Sequence, residues 1–472
     1  MPREEIPRPA PPQNRPELSA GLLRREPMSG ATERRLPPDS RRLPPPNLPG
    51  QRLPEPSRDY IHPTHADAFR CIGSDCEDTC CSGWGVPVDQ GTYERYRSDA
   101  AMKQHLGTLV VLNTSSPSSA DYARIPLTTQ STCPFLDAEL LCGIQKALGA
   151  AMLPNTCATY PRALSSQAGE HEAALNLSCP EAARLTLLNP NLLVRPPWRN
   201  SSAQRYQAFQ HDANQLPADY QPRLALRELF LLLLSDRDYP LWQRLYLGGI
   251  LARRLDAVSE RETVAGWIAA KPAQLAQLLA DSARVATLNR LRSTMDEIRA
   301  QPELQLQLVM ELLRLRLTEP PVPARFIECV QDFESGLGVA TATNEQQILD
   351  SYANGYRIFY QPLLARHPQL IENYLMNYVF KNGYPFSKTE SPGTEVEHLS
   401  LCIHAALIQT LLIGMAAHHQ EAFDTGHVVK LVQSLARTFE HSKRSIEQIA
   451  GFVRARELNN PRGITLLLRQ PE

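Results

Sequence analysis

Eight of the ten cysteines in this chain of 472 residues fall between Cys71 and Cys179. They run Cys71-x4-Cys76-x3-Cys80-Cys81, then Cys133-x8-Cys142-x14-Cys157-x21-Cys179. Thiolates gathered this densely in a mid-sized protein most often hold a metal ion or an iron–sulfur cluster. Ligands of that kind stand in for a large apolar core. Residues 61–195 are therefore expected to form a loop-rich, cluster-binding region with short strands. Glu172–Ser178 reads as a short strand running into Cys179, and Thr92–Arg97 as one or two helical turns.

The competing reading is an oxidised disulfide framework in an exported protein. Such frameworks are usually small and carry a secretory signal. The opening Met-Pro-Arg-Glu-Glu-Ile-Pro lacks the charged-then-apolar plan of one. The longest uninterrupted apolar stretches, Leu229–Leu234 and Leu411–Ala417, fall far short of a bilayer span. A cytoplasmic protein with reduced thiols and no membrane span is the expectation. A formal net charge of −1 gives no pull toward nucleic acid, so none is expected as a partner.

Residues 1–60 hold 15 Pro and 11 Arg and no Lys. Repeated Pro fixes φ and removes backbone donors, which predicts a disordered or extended arm. From residue 196 to 460 the pattern turns helical, with 461–472 as a tail. Predicted helices are Arg223–Ser235, Trp242–Asp256, Ala273–Ala280, Arg284–Ala300, Glu303–Leu317, Glu345–Arg366, Gln369–Phe380, Glu395–Ala417 and His427–Phe439. Leu304, Leu308, Leu312 and Leu315 share one helix face. Val428, Leu431, Val432 and Leu435 make a second stripe, with Thr425 as its expected cap. The fold class is thus mainly α: a loop-rich cysteine region with short strands, then an all-helical domain.

Zinc sites and iron–sulfur clusters both want four ligands, and zinc usually takes pairs separated by two to four residues. Cys76-x3-Cys80 has that spacing; the later cysteines are looser, as ligands collected from several loops are. Side chains of the adjacent pair Cys80-Cys81 are expected to diverge. Eight thiols are twice what one cluster needs, which leaves a second centre, a reactive pair or buried packing cysteines open. Cys329 and Cys402 sit in apolar helical surroundings and read as core.

The residues around these thiols carry a resemblance. The blocks are Phe69-Arg70-Cys71-Ile72-Gly73-Ser74-Asp75-Cys76-Glu77-Asp78-Thr79-Cys80-Cys81-Ser82-Gly83-Trp84, Cys133-Pro134-Phe135-Leu136-Asp137 and Leu141-Cys142-Gly143-Ile144-Gln145. They continue with Thr156-Cys157-Ala158-Thr159-Tyr160-Pro161-Arg162, Leu177-Ser178-Cys179-Pro180-Glu181-Ala182-Ala183-Arg184, Glu372-Asn373-Tyr374-Leu375-Met376-Asn377-Tyr378 and Tyr384-Pro385-Phe386. In this order they resemble the flagellin lysine-N-methylase family, which is related to the zinc- or iron-chelating CxxCC proteins. The resemblance implies methyl transfer from S-adenosylmethionine to lysine side chains of flagellin, a bacterial flagellum protein. It also implies a four-iron four-sulfur (4Fe-4S) cluster held among Cys76, Cys80, Cys81, Cys133, Cys142 and Cys157, with Cys71 and Cys179 as further members.

Lysine is a nucleophile only when neutral, and its solution pKa is about 10.4, so a methylase must desolvate the amine or seat it beside a base. Aromatic faces suit a cationic sulfonium. Tyr352, Tyr356, Tyr360, Tyr374, Tyr378 and Tyr384, with Asn373 and Asn377 one turn apart, are the candidate substrate or cofactor wall. Among them Tyr374, Tyr378, Asn373 and Asn377 are the catalytic candidates. The plainer reading is helix packing by the tyrosines and bridging by the asparagines. Trp84, Tyr160 and Arg162 adjoin the thiols and are candidate cofactor contacts, or supports for the ligand loops. His418-His419 and His427 are spaced loosely for a ligand set and read as helix-end residues. No GxGxxG, Walker loop or Cys-x3-Cys-x2-Cys triplet occurs, so neither a doubly wound methyltransferase nor radical chemistry is indicated. Gly248-Gly249 lies in a helical stretch and reads as a close helix contact. Two alternatives stay beside the methylase reading: a chelating binding module, and a redox protein using Cys80-Cys81.

Overall fold

The computed structural model describes residues 60–62, 64–167, 170–192, 199–200, 233–259, 298–318, 322–384 and 394–440, with scattered positions at 227–231, 295 and beyond 450. The arm before Tyr60, the helix Ala273–Ala280, most of Arg223–Ser235 and Arg284–Ala300, and Pro385-Phe386 lie outside the described residues.

The first part is short-pieced. In order come β1 (Tyr60–His62), α1 (Thr64–Ala68), β2 (Val86–Val88), α2 (Gln90–Ser98), α3 (Ala100–Lys103), β3 (Val111–Leu112), β4 (Ala123–Ile125), α4 (Gly143–Leu148), α5 (Asn155–Thr159), β5 (Arg162–Gln167), β6 (Glu170–Leu175), α6 (Pro180–Leu187) and β7 (Arg199–Asn200). One sheet has the order β5-β6-β1-β7, with β6 and β1 parallel and the other pairs antiparallel. The other is an antiparallel β2-β4-β3 ribbon. The strand expected at Glu172–Ser178 starts and ends earlier. It stops at Leu175 because the chain turns through Asn176, whose carbonyl accepts the Cys179 N–H at 3.2 Å.

The second part is helical: α7 (Leu241–Ser259), α8 (Pro302–Leu317), α9 (Ala324–Leu337), α10 (Glu345–Asn354), α11 (Gln361–Arg366), α12 (Gln369–Asn382), α13 (Thr394–His419) and α14 (Thr425–Phe439). Mainly α is therefore the class of the fold. At the centre lies α13, buried without a break from Leu401 to Ala416. By length and composition this helix could cross a membrane, but 94% of its most apolar window is buried inside the molecule, which marks it as a core helix.

Glycines let neighbours approach α13. A Cβ on Gly336 of α9 would stand 1.9 Å from the Gly414 carbonyl, so the two backbones touch there. Gly248 of α7 faces the ring of His398, bearing out the close contact expected at Gly248-Gly249.

The predicted helix Glu345–Arg366 is continuous but not uniform. Residues Gly355–Tyr360 wind as a π-turn between α10 and α11. Pro362 has no N–H for the regular ladder, and the Gln361 N–H reaches back to Tyr356, so the wider turn absorbs the missing bond. Two side-chain expectations also shift. Asp424, not Thr425, caps α14, its carboxylate accepting from the Gly426 and His427 amides; Thr425 is the first helical residue. In α8, Leu308 and Leu312 are buried, but Leu315 is 40% exposed, because the helix also buries Leu306, Val309, Met310 and Leu313. The stripe Val428, Leu431, Val432 and Leu435 is buried as expected, and so are Cys329 and Cys402.

Candidate metal centre

All ten cysteines are free thiols. The eight of the N-terminal region do not form one group. Cys80, Cys81, Cys133, Cys142 and Cys157 act electrostatically on one another. Cys71, Cys76 and Cys179 do so separately.

Backbone pairing gathers the five. The Cys133 amide donates to the Cys81 carbonyl at 2.7 Å, beside a bridge between Ser82 and Thr132. A second bridge joins Leu136 to Cys142, and Gly143 N–H donates to Phe135 O at 2.7 Å. A Cβ at Gly143 would lie 3.0 Å from that same carbonyl, so the bend favours glycine. Cys157 rides on α5, whose first amide, at Asn155, donates to Asp89 Oδ2 at 2.9 Å. The same carboxylate group caps α2 through Thr92 N–H at 2.9 Å. Both members of the adjacent pair Cys80-Cys81 face this group, contrary to the expected divergence. The chain bends there, with Thr79 Oγ1 accepting the Cys81 N–H at 3.2 Å.

Cys81 sits between Cys80 and Cys142. Hydrogen bonding from its thiol draws both of those pKa values down, that of Cys142 to about 6, while its own rises. The Ile144 and Gln145 amides at the start of α4 act on Cys142 in the same direction. Arg437 adds a weaker pull on Cys80. Burial pushes Cys133 and Cys157 up. The five thiols, with Cys80 and Cys142 biased toward thiolate, have the donor chemistry that a soft metal or an iron–sulfur cluster takes; among the described residues no three of their sulfurs close to within 4.8 Å of one another. In the group of three, burial raises Cys76 to about 11 and Cys179 to about 12.

The helical part reaches into these loops through α14. Arg437 donates to Asp78 Oδ2 at 2.5 Å and to the Ser82 carbonyl at 2.8 Å. Gln433 Nε2 donates to Asp78 Oδ2 at 2.8 Å and to Ser178 O at 2.9 Å. Asp78 lies between Cys76 and Cys80, so one carboxylate ties α14 to the stretch joining the two thiol groups. Sequence reasoning did not find Arg437 or Gln433. They lie 359 and 355 residues from Asp78, and no local pattern marks them.

Trp84 donates its Nε1–H to the Cys80 carbonyl at 2.9 Å, and its ring lies 6.2 Å from that of Tyr160. Tyr160 bonds Ser178 Oγ at 3.0 Å. Arg162 donates to the Phe69 carbonyl at 3.1 Å and stacks over the Phe69 ring at 5.2 Å, which fixes the approach to Cys71.

The α12 candidates are brought together but lie inward. Asn373 Nδ2 donates to the carbonyls of Thr186 and Asn189 at 2.9 and 2.7 Å, closing the end of α6. Asn377 exchanges bonds with the Leu175 backbone at 2.8 and 3.1 Å, and its Oδ1 lies 3.2 Å from His65 Nε2. Tyr374 is buried and donates its hydroxyl to Glu440 at 2.9 Å. Tyr352, Tyr360 and Tyr384 are also buried, whereas Tyr356 and Tyr378 are partly buried.

Fold and site define the class: a mainly α protein with a polythiol loop region fastened to its helical part. A family profile described as the FliB lysine N-methylase C-terminal domain matches residues 227–467, about half of the chain. The chain belongs to this family, that of the FliB lysine N-methyltransferases. Over 134 residues, 28% of this chain, it is 33% identical to the flagellar biosynthetic protein FliU of Salmonella muenchen, covering 79% of that protein. Matches of 134 residues to the lysine-N-methylases of Salmonella choleraesuis (33% identical) and Salmonella typhimurium (32% identical) span 33% of the length of each. No solved structure matches the chain.

Proposed function

We propose that this chain transfers methyl groups from S-adenosylmethionine to lysine ε-amines of flagellin in the cytoplasm, and that Cys80, Cys81, Cys133, Cys142 and Cys157 supply the ligands of an iron–sulfur cluster. The observation that carries this reading is the gathering of five thiols on loops anchored to a FliB-type helical domain. Four thiolates suffice for a four-iron cluster, so one of the five is left to orient its neighbours.

The methyl donor supplies an electrophilic carbon on a cationic sulfonium. Trp84 and Tyr160, both partly exposed beside the exposed Cys80, offer it aromatic faces. The substrate amine must arrive neutral, and a tyrosine-rich, poorly hydrated wall favours the neutral form. Tyr356 and Tyr378 are the members of the α10–α12 set with surface to present to it. Tyr374, Asn373 and Asn377 fix α12, which carries Tyr378, through the bonds described above. Correct placement of amine and methyl accounts for much of the rate in such a transfer.

The test is transfer of labelled methyl groups from S-adenosylmethionine to purified flagellin, with iron, sulfide and zinc quantified in anaerobically prepared protein. Label on flagellin lysines and iron with sulfide in the protein are expected, and Cys157→Ser should lose most of the iron. Cluster-replete protein that leaves flagellin unlabelled would defeat the assignment of activity. Colourless protein holding zinc would instead make the five thiols a structural clip.

A further inference from the structure

A second ligand cluster lies outside the thiol region, where α9 crosses α13. Asp332 stands one turn before Gly336 on α9, and His418 one turn after Gly414 on α13. The Gly336–Gly414 contact holds the two backbones together at that level. A Cβ on Gly336 would also fall 2.7 Å from the His418 backbone nitrogen, and one on Gly414 would strike the Phe333 ring at 2.4 Å. The crossing therefore presents the Asp332 carboxylate to both histidines. His419 Nε2 lies 3.0 Å from Oδ2 and His418 Nε2 lies 3.7 Å from Oδ1. One oxygen and two imidazole nitrogens close to within 4.8 Å of one another.

We propose that Asp332, His418 and His419 form a binding site for a divalent first-row transition metal, with zinc(II) as its simplest occupant. Nitrogen and oxygen ligands of zinc sit about 2.0–2.1 Å from the metal, so the edge of a tetrahedral shell is about 3.4 Å. The observed separations, 3.0 Å from His419 to one carboxylate oxygen and 3.7 Å from His418 to the other, lie close to that edge. Two borderline imidazoles with one hard carboxylate oxygen suit zinc, nickel, copper or iron, unlike the all-thiol set elsewhere in the chain. The side chains are 41%, 23% and 22% exposed for His418, His419 and Asp332, so an ion has a path in and water can fill the remaining position. The ring of His427, at the start of α14, lies 4.1 Å from that of His419 at a tilt of 41°, with Asp424 2.8 Å from its Nδ1. His427 is a positioning residue that limits the swing of His419. A bound ion would join the C-terminal end of α13 to α9.

The experiment uses the full chain with its thiol centre already loaded, so that added metal reports on the remaining sites. Wild type, His418→Ala/His419→Ala and Asp332→Asn are titrated calorimetrically with zinc(II), and their melting temperatures are read with and without it. Wild type should bind one further equivalent of zinc and melt higher in its presence. The double variant should lose that equivalent, and Asp332→Asn should bind it at least tenfold more weakly. All three positions are partly exposed, and circular dichroism in metal-free buffer verifies that the variants fold. Equal zinc uptake and equal melting shifts in wild type and double variant would overturn the site and leave an ordinary histidine–carboxylate pairing. In a Cys157→Ser background, His418→Ala/His419→Ala should still remove one zinc equivalent, which separates this outcome from any failure at the thiols.

Discussion

Glu440 shows how much a single buried charge depends on its neighbours. Its side chain is 7% exposed and forms an ion pair with Lys381, while Tyr374 donates to its other oxygen. Burial alone would raise its pKa, but Lys381 and His404 outweigh it and hold the carboxyl at about 2. The folded value lies below the unfolded one, so the stabilisation is complete above about pH 4.5 and is lost as pH falls toward 2. Glu440→Gln should therefore flatten the fall in unfolding free energy across that window, measured by urea titration at successive pH values. Lys381→Met should cost about 3–5 kcal/mol at neutral pH, because it leaves a carboxylate buried without its partner. This network was only half legible in the sequence. Tyr374 stood out as one of a run of tyrosines, but nothing near it revealed that its hydroxyl answers to a residue at the far end of α14.

Elements were easier to read than contacts. Helices appeared where apolar residues recur at helical spacing over long stretches, as in α8, α13 and α14, because that period is fixed by the backbone. Details set by one missing donor or one side chain were not visible in advance. The π-turn before Pro362 and the cap at Asp424 are of that kind. The Gly336–Gly414 crossing is another, since neither glycine sits in a turn motif. Its energetic weight can be measured directly. Gly336→Ala places a methyl group against a backbone carbonyl that cannot rotate away, and should destabilise the protein by about 3 kcal/mol. A loss under about 0.5 kcal/mol in chemical denaturation would mean that the helices separate there at little cost.

Across the whole molecule, the density of thiols marked out the short-pieced first part, and the composition after it announced helices. The partition of those thiols into five and three was not legible, because it depends on which loops pair through their backbones. Nor was the fastening of the loops by α14. Arg437 and Gln433 converge on Asp78, and Arg437 also reaches Ser82 beside the Cys80-Cys81 bend. With the proposed cluster loaded, Arg437→Ala should let a chelator strip iron from the protein several-fold faster than from wild type, while the helical melting transition moves little. An unchanged stripping rate would assign Arg437 to packing alone.

The position of Asp78 also limits how this architecture can be taken apart. Three residues separate the last cysteine of the smaller thiol group in that stretch from the first of the larger, and the middle one is held by α14. Neither group is a detachable module. A transplant of either into another scaffold would have to bring along the shared strap and a surrogate for its distant guanidinium, and an insertion of even one residue there would disturb both neighbourhoods at once.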